Sequence, residues 1–178
     1  MSTGTNRLLD CPEWDPLDPH RVVKKICWHT LVDAMKKSIM CNDLRDLQST
    51  KVSGGTLSGR ARHQVNSSMT NLIESRNWLL DFNNREHAKF GVDDCMDALH
   101  IREHTLKSLL RGLWLRRDKY VCGTLNKTRR KAQGLILRQQ REHGAKRPGR
   151  VNGKRTLVLA DKALFMVRES HKRIGVES

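Results

Sequence analysis

Apolar residues recur at three- and four-residue spacing in one long segment after another, and that spacing sets the fold class. Val22, Val23, Ile26, Cys27, Thr30, Leu31, Ala34 and Met35 form the first such stripe, which predicts an amphipathic helix of about five turns. Asp18-Pro19 supplies its start, aspartate as a cap and proline at the first helical position. The helix is expected to end near Cys41, with Asn42 capping a shorter one through Leu47. Val65, Met69, Leu72, Ile73, Leu79 and Leu80 predict another over 60–81, stopped by Asn83-Asn84. The three-glycine run SGGTLSG (53–59) separates the two. Residues 1–16, with Pro12 and Pro16, read as an irregular arm.

Farther on, Tyr120-Val121-Cys122-Gly123 reads as a short extended or turn piece, and helical spacing resumes over 127–143 with Ala132, Leu135 and Leu137. Gly144 stands where a C-terminal cap is wanted. Asn152-Gly153 is the strongest hairpin signal in the chain and points to a small two-stranded β wing. TLVLADKALFMVRES then reads as a strand running into a helix, or as one helix. The expected fold is mainly α, a multi-helix domain with a basic C-terminal region and no internal repeat.

Charge divides the chain in two. Residues 1–100 hold thirteen Lys and Arg against thirteen Asp and Glu, whereas 101–178 hold twenty-one against six, so the second part supplies the whole net charge of +15. A surplus kept for solubility would be spread evenly; one neutral part and one strongly basic part suit a chain that turns one region toward a polyanion. No apolar run approaches the roughly 20 residues needed to span a bilayer, and no basic amphipathic helix with exposed aromatics accompanies the charge, so no membrane partner is expected.

Catalytic chemistry finds few candidates. The five cysteines (Cys11, Cys27, Cys41, Cys95, Cys122) are scattered without a CxxC pair, which disfavours a disulfide framework or zinc site and suggests reduced thiols in the cytoplasm. Cys95, His100 and His104 lack a second ligand cluster, and Asp93, Asp94 and Asp97 suit a helix start better than a metal. Cys27 and His29, two residues apart on a helix, point in different directions and make no nucleophile-base pair. No phosphate-cradling glycine loop or nucleophile elbow is present. The chain is expected to be no enzyme and to need no cofactor or metal.

The segment 92–117, VDDCMDALHIREHTLKSLLRGLWLRR, reads as two helices joined by a tight turn. Cys95 and Leu99 stand four apart, His100 and Ile101 follow at the corner, and Leu106 and Leu109 stand three apart. This spacing resembles the helix-turn-helix of bacterial and phage DNA-binding proteins. Met96 stands where that superfamily favours a small residue, and His100 where it favours glycine. The resemblance implies a central helix-turn-helix whose second helix, of eleven residues, presents Arg102, His104, Lys107, Ser108 and Arg111 to bases in the major groove.

The later cations Arg116, Arg117, Lys119, Lys127, Arg129, Arg130, Lys131, Arg147 and Arg150 are expected on phosphates, where they position without specifying sequence. The organisation read from the sequence is therefore an arm at 1–16, a neutral helical scaffold for oligomerisation at 17–82, the helix-turn-helix at 83–120 and a basic helical region at 121–178. The corresponding function is sequence-specific binding of duplex DNA by a homodimeric transcriptional regulator of bacterial or phage type, with the transcription machinery a further partner. A viral or ribosome-associated RNA-binding basic helical protein and a non-enzymatic protein-interaction module are the alternatives.

Overall fold

The computed structural model describes residues 12–41, 59–82, 90–143 and 153–176. Within them the chain forms five α-helices and no strand: α1 (Arg21–Ser38), α2 (Gly59–Leu79), α3 (Val92–Leu99), α4 (Glu103–His143) and α5 (Lys154–Arg173). The expected helix 42–47, the glycine run before Gly59, the Asn83-Asn84 stop, the Gly144 cap and the phosphate contacts at Arg147 and Arg150 lie outside the described residues.

α1 begins two residues after Pro19. Asp18 does not cap it directly; its carboxylate accepts the His20 amide at 2.8 Å and pairs with Lys24 at 2.7 Å. The helix buries Cys27, Trp28, Leu31, Val32, Ala34, Met35 and Ser38. Val22, Val23 and Ile26, expected in the apolar stripe, are instead exposed, because the helix is rotated to bring Trp28 and Val32 inward. Met40, at φ 57°, turns the chain sharply, with the Cys41 amide donating to the Lys36 carbonyl. α2 follows its expected stripe, burying Val65, Met69, Leu72 and Leu79, but Arg76 is buried with them.

The larger difference lies at 120–123. The chain there is helical, and α4 runs 41 residues without a break, about 60 Å at 1.5 Å per residue. Val121 and Leu125 are wholly buried and Thr124 nearly so. Their burial as a continuous helical face outweighs the roughly 1 kcal/mol that Gly123 costs in a helix interior. The second helix of the corner is thus the first part of α4 rather than an eleven-residue element.

α5 packs antiparallel along α4. Its start lies at Ala132–Ile136 through Gly153, its middle pairs Asp161 with Arg129 at 3.0 Å, and its end reaches Asp118 through His171. The expected wing is not formed: Asn152 lies outside the described residues, and Gly153, at φ 100°, is the N-terminal cap of α5. A Cβ at Gly153 would stand 3.2 Å from the Ala132 carbonyl oxygen, so both conformation and close approach call for glycine. TLVLADKALFMVRES is all helix.

Candidate nucleic-acid interface

Two helices joined by a tight turn are present at 92–117, and the first of them packs chiefly on α1. α3 starts at Gly91, whose amide donates to Asp94 Oδ2 at 2.6 Å, a carboxylate reaching back over the first turn. It stops at His100, which adopts the left-handed conformation at φ 54°, ψ 37°. The Ile101 amide then closes on the Met96 carbonyl at 2.9 Å, and Arg102 becomes the cap residue of α4, its carbonyl accepting the Thr105 and Leu106 amides. Cys95, Met96 and Leu106 are buried, and Leu99 and Ile101 pack half-buried against the core. Leu109 is half-buried, while Leu110 is wholly enclosed beside it. Met96 is buried in the core, which α3 joins chiefly by packing on α1.

The five side chains expected to read bases fare differently. Arg102, His104 and Ser108 are exposed at the start of α4. Lys107 pairs with Glu103 at 2.6 Å and lies over the Phe82 ring, 5.2 Å from its centroid. Arg111 is exposed but donates to the Gly175 carbonyl, bracing the chain end after α5. Two of the five are thus engaged within the molecule.

Among the expected phosphate contacts, Arg116, Lys119, Lys127, Arg130 and Lys131 are exposed on α4, and Arg129 is half-engaged with Asp161. Arg117 does not belong to the set. It is buried and donates to Cys41 Sγ at 3.0 Å, because it follows Leu113 and Trp114 by one helical turn on the face turned toward the core. Arg138 and Arg141, absent from the expected set, extend the exposed cations along the same helix. The signal that finds them is the length of α4, hidden by the apparent break at Gly123.

Behind this face lies a buried polar junction of four helices that the sequence did not announce. Arg76 donates twice to Asp118, at 2.6 and 3.0 Å, and once to the Ser38 carbonyl at 2.9 Å. Its guanidinium lies 4.4 Å from the Trp114 ring centroid. Trp114 Nε1 donates to Ser38 Oγ at 2.9 Å, and His171 Nε2 lies 2.6 Å from Asp118 Oδ2. The junction fixes the rotation of α4 and thereby decides which of its residues face outward.

Two of the thiols lie on α3 and α4. Burial pushes the Cys95 thiol far up, reinforced by the neighbouring Cys27, and burial beside Asp118 pushes Cys122 up. Both shifts favour the thiol over the more reactive thiolate at neutral pH. Among the described residues no three His, Cys, Asp or Glu side chains converge as a metal site, and no helix is long and apolar enough to cross a membrane. Compared with known proteins, the chain matches no family model, no curated protein and no solved structure.

Proposed function

We propose that the chain is a non-enzymatic duplex-DNA-binding protein that lays the exposed face of α4 on the phosphate backbone. One observation carries the reading: the cationic face of α4 runs outward from a helix corner whose backbone turns left-handed at His100. Cations placed there neutralise phosphates and release counterions, and the first turn of α4 offers Arg102, His104 and Ser108 to base edges. With Lys107 and Arg111 engaged elsewhere, backbone contact dominates and base reading is confined to these three. A homodimer would multiply so small a readout, and the exposed Val22, Val23 and Ile26 of α1 are the surface that a second copy would cover. Regulation of transcription is the role that fits sequence-selective binding.

The test is selection of bound sequences from a random duplex pool by the wild-type chain and by Arg102→Ala/Ser108→Ala. An enriched motif that the double variant loses, with its affinity for random duplex retained, supports the reading. Absence of salt-sensitive duplex binding by the wild type overturns it.

A further inference from the structure

With α4 established as one helix, its sequence resolves into a repeat that a break at Gly123 would have divided. GLWLRRDKYVC (112–122), GTLNKTRRKAQ (123–133) and GLILRQQREH (134–143) align at a spacing of eleven residues. Eleven residues make three turns at 3.67 residues each, close to the natural pitch of an α-helix, so each aligned position stays on one face. The inward face repeats: Trp114, Leu125 and Ile136 are aligned and all buried or half-buried. The outward face repeats as well. Arg116, Lys127 and Arg138 form one row, and Lys119, Arg130 and Arg141 another. All six are exposed and none is paired with an acid among the described residues; Arg116 alone folds back, its Nε donating to the Gly112 carbonyl at 3.0 Å, a solvent-exposed bond that a phosphate can replace.

Each repeat thus opens a pair of cations three residues apart, which repel within one helical turn. Each also begins with an exposed glycine (Gly112, Gly123, Gly134), and a Cβ added at any of them would meet nothing within 4 Å. Intramolecular packing therefore gives no reason for glycine there, and the like-charge pairs work against the helix. A face that departs from local stability at the same positions three times over is shaped for something outside the molecule.

Deepening the DNA-binding reading and resting on it, we propose that this repeat measures the pitch of duplex DNA, each cation pair seating on one phosphate strand and each glycine letting the helix backbone approach it. One repeat rises about 16.5 Å, so two rise about 33 Å, against roughly 34 Å for a turn of the B-form duplex. The first and third pairs then meet the same strand one turn apart, and the middle pair meets the other strand half a turn on. The long arms of arginine and lysine take up the unequal groove widths. From Arg116 to Arg141 the face covers about 37 Å, or on the order of 11 base pairs.

The test measures binding of the full chain to a 24-base-pair DNA duplex, the same sequence as duplex RNA, single-stranded DNA and phosphatidylserine vesicles across a salt series. The variants are Arg116→Ala/Lys119→Ala, Lys127→Ala/Arg130→Ala, Arg138→Ala/Arg141→Ala, and a Gly112→Ala/Gly123→Ala/Gly134→Ala triple, each checked by circular dichroism. The expected result is a preference for duplex DNA and a loss of nearly two units of salt slope from each cation pair. Equivalently, the affinity lost between 50 and 200 mM salt shrinks about tenfold per pair. The glycine triple should melt higher yet bind DNA more weakly. Unequal slope losses, equal binding of duplex RNA or vesicles, or undiminished DNA binding by the glycine triple overturns the pitch-matched repeat while leaving duplex binding standing. No salt-sensitive binding by the wild type overturns both.

Discussion

Arg76 and Arg117 place two guanidinium groups inside the domain, and the surroundings of Arg76 show how such a charge is tolerated. Asp118 faces it with both oxygens, the Ser38 carbonyl takes a third N–H, and Trp114 covers its plane. Removing one partner strands the other in a place without water. Asp118→Ala should cost about 3–5 kcal/mol in urea unfolding, whereas Arg76→Met/Asp118→Leu should recover much of that loss. A single-variant cost below about 1 kcal/mol would show that the junction does not hold the helices. The thiols carry a second residue-scale expectation. Folding raises the Cys95 and Cys122 thiols above their ordinary value of 9.0, burial being the first cause in each. Their contribution to stability is therefore whole below pH 9.0 and is lost as pH rises through the folded values. Urea midpoints should fall above pH 9, and Cys95→Ser and Cys122→Ser together should flatten that fall. At neutral pH both native thiols should resist iodoacetamide.

For the helices, spacing alone conveys a great deal and misses in intelligible ways. It locates α1 and α2 nearly to their ends and the turn between α3 and α4 at His100, because the apolar spacing changes register there. It sets the rotation of α1 wrongly: Val23 and Ile26 flank the Cys27–Leu31 line on one side and Trp28 and Val32 on the other, and only the presence of α2 and α3 decides which flank turns inward. It breaks α4 at Gly123, since a glycine signal is local while the burial of Val121 and Leu125 is tertiary. That error conceals Arg138 and Arg141 as members of one face with Arg116. The pairing of Arg76 with Asp118, 42 residues apart, leaves no trace in spacing at all. Gly153 is the opposite case, a hairpin signal that is in fact a helix cap. Its φ of 100° and the Ala132 carbonyl nearby predict that Gly153→Ala costs about 1–3 kcal/mol, read as a lower thermal midpoint. Gly134→Ala, in open space on the same helix, should instead stabilise by up to about 1 kcal/mol. Equal effects at the two positions would contradict this packing of α5 on α4.

At the scale of the molecule, the charge step seen in the sequence is carried chiefly by α4. That helix holds eleven Lys and Arg against three acids, while α1 holds five against one and α3 only acids, so the support is mixed in charge and the longest run of exposed cations lies on α4. Because the buried junction draws on α1, α2, α4 and α5, support and cationic face share one core, so they are expected to unfold together in a single transition. A polyanion bound to α4 then stabilises the whole domain by linkage. At one hundred times its dissociation constant a duplex adds about 2.7 kcal/mol. For a chain of this size that raises the thermal midpoint by roughly 5–10 °C. The rise should be present at 50 mM salt and nearly absent at 300 mM, since the contacts are to phosphate and counterions compete for them. Scanning calorimetry with and without a 24-base-pair duplex checks both halves of the argument. A second transition unmoved by DNA would separate support from face. A rise that persists at high salt would show binding led by base edges or apolar contact rather than by the cations of α4.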